Sequence, residues 1–240
     1  MAGELEIAPR FRGPPGTANG GYLAGRLAQG LRGPVEVVLR APTPLGTKLE
    51  LVVCDDGSRS LRLAGTELAH AAHAALDLAL RPAPAARAVA SSAGNCRAMR
   101  THPFPECFVC GPARAPGDGL RIFPGVVAGS DAVAALWTPD ASLCDAHGGV
   151  APEFLWAALD SPSAFPLLES EASRSLEPMV LGRFCVALDG ELRAGETATL
   201  VAWPLAQEGR RGTAGAALFR ANGEVVARAR ATWVSLAGRA

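Results

Sequence analysis

The sequence has little that would bind nucleic acid or a membrane. Lysine occurs once, at Lys48, and the 23 basic residues are balanced by 23 acidic ones, so we expect no basic surface for phosphates. Aromatic residues make up only 5% of the chain, which argues against a base-stacking surface. No apolar run approaches the roughly 18 residues of a membrane span, because His70, His73 and Asp77 interrupt the longest alanine-rich stretch.

A secretory signal and a disulfide framework are also missing. Residues 1–13 carry charges and a proline where a signal peptide needs an apolar stretch. We therefore expect a cytoplasmic protein, in which six cysteines are weak support for disulfides. With 49% hydrophobic residues over 240 positions, the chain can bury a sizeable core in one or two domains.

Two segments of the chain resemble each other at a constant offset. Residues 35–53 read VEVVLRAPTPLGTKLELVV and residues 184–202 read FCVALDGELRAGETATLVA. In this alignment Gly46 meets Gly195, and apolar positions meet on either side of them. Each copy predicts a strand, a turn with glycine and a second strand.

Two more matched blocks occur in the same order, which indicates an internal repeat. Residues 65–76 resemble residues 222–233. Before the strands, residues 19–31 (NGGYLAGRLAQGL) and residues 147–160 (HGGVAPEFLWAALD) each show a Gly-Gly followed by an apolar helical pattern. Both halves are therefore predicted to run from a helix into several antiparallel strands.

The repeat and the composition together suggest domain boundaries. Residues 1–80 form the predicted N-terminal unit and residues 106–240 the C-terminal unit. Residues 81–105 between them are rich in Pro, Ala, Ser and Gly without periodicity, which is typical of a linker that is ordered only in part. Residues 162–180 have no counterpart in the first half and are interpreted as an insertion.

One strand predicts what it packs against. In residues 225–234, Ala227, Ala229 and Ala231 alternate with larger residues, so they share one face of the strand. Such a flat face allows a buried helix to lie close against the sheet.

These segments resemble a known family. Residues 19–31 followed by 35–53 resemble the N-terminal half of the type II acyl-CoA thioesterases, and FLWAALDSPSAFP (154–166) resembles the C-terminal helix that carries their aspartate. The Cys-x-x-Cys-Gly-Pro stretch in 107–125 resembles another hotdog group, and His-Gly-Gly at 147–149 resembles a motif of the phenylacetate-type hotdog thioesterases.

The resemblance implies an α+β double hotdog. In this fold two long antiparallel sheets, each wrapped around a central helix, pair into a continuous sheet with ligand clefts at the junction. The implied activity is hydrolysis of an acyl-CoA or related thioester, with coenzyme A as part of the substrate and no other cofactor. A monomer of two units and a further homo-oligomer both stay open.

Asp160 is the leading candidate for the chemistry. Pro152 suits a first helical position, so the sequence predicts a helix over 151–161 with Asp160 near its end on an apolar stretch. A carboxylate there could activate water or attack a thioester, and the resemblance aligns Asp160 with the family's catalytic aspartate. The alternative is a solvated acid that caps the turn at Ser161 and Pro162.

The start of the first helix could supply the complementary donors. Asn19 offers a polar side chain, and Gly20, Gly21 and Tyr22 offer backbone amides that could stabilise an oxyanion or bind substrate. The alternative for the glycines is close packing at the helix entry. This helix has no acid, and Gln29 falls roughly where Asp160 falls in the second half.

Four further residues are candidates in the second half. His147 could contact a thioester carbonyl or Asp160, with a loop histidine bonded to its surroundings as the alternative, and Gly149 could bind substrate beside it. Phe154 and Trp156 are candidates for lining an apolar acyl cleft.

The cysteines raise a metal question. Cys107, Cys110, Cys144 and His147 have the ligand types and spacings of a Cys₃His zinc site. The favoured interpretation has no metal, with Cys107 and Cys110 as buried, reduced thiols in a tight turn.

The second half departs from the family in its strands. The type II thioesterases pair their aspartate with a threonine and a glutamine, whereas here no glutamine stands in the corresponding regions and Thr232 is the one threonine in 228–236. A non-catalytic protein that binds an acyl or other apolar small molecule is therefore the main alternative. A double-hotdog hydratase is a third, but its histidine–aspartate motif is not found.

Overall fold

The computed structural model describes residues 2–96, 99, 101–168 and 178–236. Within them, strands of both halves form one antiparallel sheet, and two α-helices at the core pack against it. None of the helices in these residues is both long enough and apolar enough to cross a membrane.

The first half contains one core helix and five strands. Its elements in chain order are β1 (Ala2–Leu5), α1 (Gly20–Ala28), β2 (Val35–Leu39), β3 (Leu49–Val53), β4 (Arg59–Leu63) and β5 (Thr66–His73). Helix α1 starts where Asn19 caps it and ends before Gly30, whose φ of 84° suits the left-handed residue that commonly follows a helix.

In the second half the described residues form two α-helices and six strands. They are α2 (Ala86–Ser92), β6 (Gly125–Val126), β7 (Val133–Trp137), α3 (Pro152–Leu168), β8 (Met179–Leu188), β9 (Ala198–Glu208), β10 (Arg211–Phe219) and β11 (Val225–Ser235). The aligned glycines Gly46 and Gly195 both lie in turns, with φ of 60° and 77°, as their positions in the sequence predicted.

The described strands form one continuous sheet of eleven strands and not two separate sheets. Their order is β1-β3-β4-β5-β2-β8-β11-β10-β9-β7-β6. The two halves meet where β2 pairs with β8, and Val35 lies opposite Val186 and Val37 opposite Phe184 in this pair. Because all four side chains are buried at this join, the junction is part of the core.

The two core helices lie side by side under the sheet. Helix α1 packs against β2 and β5, and α3 packs against β9, β10 and β11. They run antiparallel, since Gly21 lies against Asp160 whereas Gly25 lies against Glu153. The predicted alanine face is confirmed, because Ala227, Ala229 and Ala231 on β11 are fully buried.

Helix α3 corrects the prediction for residues 151–161. It continues to Leu168 with Pro162 and Pro166 inside it, so Asp160 lies in the middle of the helix and does not cap a turn at its end. Prolines disrupt isolated helices, but Phe154–Leu168 is buried throughout, and this packing outweighs the local preference. Of the predicted insertion, 169–177 lie outside the described residues.

The predicted linker contains regular structure. Helix α2 lies within residues 81–105, and its Val89 packs with Val127, which follows β6, and with Ala134 on β7. The helix approaches β6 so closely that a Cβ on Gly125 would lie 1.8 Å from the Ser92 carbonyl oxygen. The sequence missed α2 because alanine and serine gave it no apolar periodicity.

The approach of α1 to α3 can be tested with Gly21→Ala. The added Cβ would lie 2.3 Å from the Cβ of Asp160 and 2.9 Å from the carbonyl oxygen of Trp156, so one helix must shift. We expect the free energy of unfolding in urea to fall by about 1–3 kcal/mol, although alanine is the better helix former. Gly3→Ala, where no atom lies within 4 Å, is the control, and equal losses in the two variants would contradict the packing argument.

Candidate active site

A cavity of about 590 Å³ lies where the two halves meet. It is lined by residues from α1, α3, β8, β11 and 102–110, together with residues just before α1 and residues 39–43. The residues on which the argument depends are Asn19, Gly20, Leu23, His102, Cys107, Cys110, Asp160, Ser161, Phe165, Leu168, Leu181 and Trp233.

Asp160 is buried at this cavity and held by the other half of the chain. Its side chain is 2% exposed. Oδ2 accepts hydrogen bonds from Nδ2 of Asn19 at 2.7 Å and from the backbone N–H of Gly21 at 3.0 Å. Oδ1 is also buried and has no hydrogen-bond partner within the described part of the chain, which is a costly state for a carboxylate oxygen.

Asn19 fixes this geometry with both ends of its amide. Its Oδ1 accepts from the N–H of Tyr22 at 2.9 Å and caps α1, while Nδ2 donates to Asp160. Aspartate or serine could cap the helix as well, but neither would carry a second donor fixed toward the carboxylate. The missing side chain at Gly21 lets the first turn of α1 reach Asp160.

The burial of Asp160 changes its acidity. Desolvation is the main cause that raises the pKa of its carboxyl group to about 7, and the charge of the neighbouring Cys107 also raises it. The hydrogen bonds from Gly21 and Asn19 lower the pKa but do not compensate. A carboxyl group with this pKa is present in both protonation states near neutral pH, which suits a general base.

The first turn of α1 also presents a free backbone donor. The N–H groups of Gly21 and Tyr22 are bound to Asp160 and Asn19, whereas no hydrogen bond from the Gly20 N–H is found among the described residues. Gly20 lines the cavity, and the positive end of the helix dipole adds to the pull of its amide on a negative oxygen.

Cys107, Cys110 and His102 form a second polar group at the cavity. The Sγ of Cys107 lies 3.5 Å from Oγ of Ser161 and 4.0 Å from Nδ2 of Asn19. Nε2 of His102 lies 3.1 Å from Sγ of Cys110. Both cysteines are free and buried, in agreement with their interpretation as buried, reduced thiols. Sequence reasoning missed His102, because its spacing to Cys110 matches no motif.

The structure brings together part of the predicted site. Asn19, Gly20 and Asp160 line the cavity. Gly21 does not line it, but its backbone N–H donates to Asp160. Tyr22, Phe154 and Trp156 are buried but do not line it.

Those three aromatic residues belong to the core. Tyr22 stacks on Phe11 with ring centroids 3.9 Å apart, Phe154 contacts Tyr22, and Trp156 packs edge-on against Phe184. The structure thus places these three side chains in the core and not on the cavity wall, a distinction that helical periodicity cannot make.

His147 and Gly149 lie on a surface loop away from the cavity. His147 is exposed, and the backbone N–H groups of both residues donate to Oδ1 of Asp145 at 2.8 and 3.2 Å. The predicted contact between His147 and Asp160 is not made. Asp145 closes a local turn here, as aspartates commonly do. This turn holds the segment at the surface.

The pairs considered for zinc do not converge. Cys107 and Cys110 lie at the cavity, whereas Cys144 and His147 belong to the surface loop. Among the described residues no group of three or more His, Cys, Asp or Glu side chains could hold a metal ion. Gln29, considered as the counterpart of Asp160, is exposed at the end of α1.

The raised pKa of Asp160 predicts how stability varies with pH. The folded protein keeps the proton of the Asp160 carboxyl group up to about pH 7, whereas the ordinary pKa of this group is 3.8. The protonated carboxyl group therefore contributes fully to the stability of the fold below pH 3.8, and this contribution is lost as the pH rises through 7. The loss is on the order of 2–4 kcal/mol.

Asp160→Asn tests this loss, because asparagine keeps an oxygen for both hydrogen bonds and carries no charge. We expect the variant to gain stability relative to the wild type between pH 5 and pH 7.5, measured by urea unfolding. A difference between the two proteins that does not change with pH would contradict the burial argument.

The fold is shared with solved structures. No protein-family model matches the chain, and no curated protein matches it. A tesB protein of Mycobacterium avium subspecies paratuberculosis superposes with a TM-score of 0.65 at 12% identity, covering 98% of this chain and 92% of its own. The acyl-CoA thioesterase II TesB2 of Mycobacterium marinum gives 0.61 at 11% identity with the same coverage.

A further match is a protein of unknown function with a hotdog fold from Alicyclobacillus acidocaldarius. Its TM-score is 0.57 at 11% identity, again covering 98% of this chain and 92% of its own. The three superpositions extend over both halves, so they include the junction at which the cavity lies. The chain therefore has the hotdog fold over both of its halves, as the resemblance in its sequence implied.

Proposed function

We propose that this protein hydrolyses acyl-CoA or related thioesters, with Asp160 as the catalytic carboxylate. The observation that supports this most is the arrangement around Asp160: a buried carboxylate, held on one oxygen by Asn19 and Gly21, at an apolar cavity. The fold match to proteins named as thioesterases agrees with it. In this proposal the protein acts in the cytoplasm and coenzyme A enters as part of the substrate.

Asp160 acts as a general base in the proposed mechanism. Its ionised carboxylate takes a proton from a water molecule, whose oxygen attacks the thioester carbonyl carbon. The carbon–sulfur bond of the tetrahedral intermediate then breaks, and the departing thiolate takes the proton from Asp160. We assign this proton transfer to Oδ1, which is buried and has no protein partner in the described residues.

The negative oxygen of the intermediate needs a donor. The Gly20 N–H at the start of α1 is the candidate, since it lines the cavity and its neighbours Gly21 and Tyr22 are already bound. Backbone amides fixed before the reaction stabilise such an oxygen without having to reorient.

The acyl chain has an apolar space to occupy. Leu23, Phe165, Leu168, Leu181 and Trp233 line the cavity, and about 590 Å³ lies within the range of small-molecule sites. Arg40 also lines the cavity, at a position where it pairs with Glu67, and its guanidinium could meet a phosphate of coenzyme A.

A non-catalytic binding protein is the second candidate. It is favoured by the strand side of the cavity, where β8 and β11 contribute Val180, Leu181, Trp233 and Val234 but no glutamine and no threonine. In the first proposal, Asn19 and the amides of α1 take over the work of such residues.

The decisive assay is release of free thiol from a panel of short, long and aromatic acyl-CoAs. We expect Asp160→Asn to reduce kcat/KM by about 100-fold or more, because it removes the base. Glu153→Gln, on the same helix but outside the cavity, is the matched control. Full activity of Asp160→Asn would overturn the mechanism, and acyl-CoA binding without turnover in the wild type would favour the binding protein.

Asn19→Ser tests the hydrogen bond from Asn19 to Asp160 while keeping a residue that can cap α1. Serine caps helices about as well as asparagine but removes the hydrogen bond that lowers the pKa of Asp160. In the wild type, kcat/KM should rise with pH around a midpoint of about pH 7 and then level off, and in the variant the midpoint should move to higher pH. An unchanged midpoint would show that Asn19 does not tune the base.

A further inference from the structure

Cys107 and Cys110 lie at the cavity in an arrangement that the hydrolysis mechanism does not use. Both side chains are buried, 4% and 3% exposed, yet both line the cavity. The side chain of Cys110 and the backbone N–H groups of Val109 and Cys110 lie close enough to Sγ of Cys107 to lower its pKa.

The turn that holds them is tightly built. The N–H of Gly111 donates to the carbonyl oxygen of Cys107 at 2.9 Å. A Cβ at Gly111 would lie 2.5 Å from the Cys107 backbone N and O, so only glycine fits. The turn therefore fixes the backbone that carries the two cysteines.

His102 approaches the second sulfur in a defined tautomer. Its Nδ1 accepts the N–H of Phe104 at 2.9 Å, so in the neutral ring the proton is on Nε2, which lies 3.1 Å from Sγ of Cys110. Burial lowers the pKa of His102 to about 4, so the ring is neutral near pH 7 and Nε2 donates to this sulfur.

From these contacts we propose that Cys107 and Cys110 form a redox-active dithiol site, with Cys107 as the attacking thiol and Cys110 as the resolving thiol. The reactant is a low-molecular-weight disulfide that enters the cavity. The proposal does not depend on thioester hydrolysis.

The two steps balance as a thiol–disulfide exchange. The Cys107 thiolate attacks one sulfur of the small disulfide, whose S–S bond breaks and releases the first thiolate. Cys110 then loses its proton, attacks Sγ of Cys107 and releases the second thiolate. Both released thiolates take up the protons of the two cysteines, so the protein is oxidised by two electrons and the small disulfide is reduced to two thiols.

The electrostatics divide the roles between the two cysteines. The hydrogen bond from Cys110 and the amides of the turn lower the pKa of Cys107 to about 6. The pKa of Cys110 is raised well above its usual value, first by donating that hydrogen bond, then by burial and by the charge of Cys107. Once Cys107 is in a mixed disulfide, the first and third causes disappear, and Cys110 becomes easier to ionise beside the His102 N–H.

The test uses 2-hydroxyethyl disulfide and 2-mercaptoethanol, a small uncharged pair, at a series of ratios. After acid quenching and alkylation, peptide mapping reports the state of each cysteine. In the wild type we expect a disulfide between Cys107 and Cys110, with Cys144→Ser as a control that behaves identically. In Cys110→Ser, the mixed disulfide on Cys107 should accumulate, and in Cys107→Ser, Cys110 should stay unmodified over the same time.

The role of His102 is tested by the lifetime of the mixed disulfide in the same experiment. In His102→Ala the mixed disulfide on Cys107 should persist longer than in the wild type, whereas His73→Ala on β5 should leave its lifetime unchanged. If the wild type forms no Cys107–Cys110 disulfide at any ratio, or if Cys110 reacts as fast as Cys107 in the single variants, the proposal is overturned. The wild-type mapping decides this even if a variant fails to fold.

Discussion

The carboxylate of Asp160 lies against the first turn of α1, and the position of the candidate site depends on that contact. The backbone N–H of Gly21 and the side chain of Asn19 bind the same carboxylate oxygen, which ties the helix of one half to the helix of the other. Only a residue without a side chain allows this approach. The join between β2 and β8 places the two helices in one core, so the sheet and the helix contact support each other.

A buried carboxylate of this kind is useful and costly for the same reason. Loss of water around Asp160 raises its pKa to about 7, which makes it a stronger base than a solvated acid and destabilises the folded protein when it ionises. The hydrogen bonds from Asn19 and Gly21 offset part of that cost. Tension between stability and activity is common at active sites, and here it is located on one identifiable group.

The cavity holds a second anionic group close to the first. The Cys107 thiolate raises the pKa of Asp160, and Asn19 lies between the two. Any change that removes the charge of Cys107, including oxidation, therefore makes Asp160 more acidic. The dithiol and the carboxylate are thus coupled by charge, whichever ligand occupies the cavity.

Local patterns in the sequence determined much of this protein. Alternation predicted the buried alanine face of β11, Pro152 predicted the start of α3, and a lone acid on an apolar helix pointed to Asp160. Only the tertiary structure decided that Asn19 meets Asp160 across 141 residues, that α3 continues through two prolines, that Cys107 joins the site and that His147 stays outside it. Periodicity is set by the backbone over a few residues, whereas contacts between distant segments depend on strand register and packing, which no short stretch of sequence specifies.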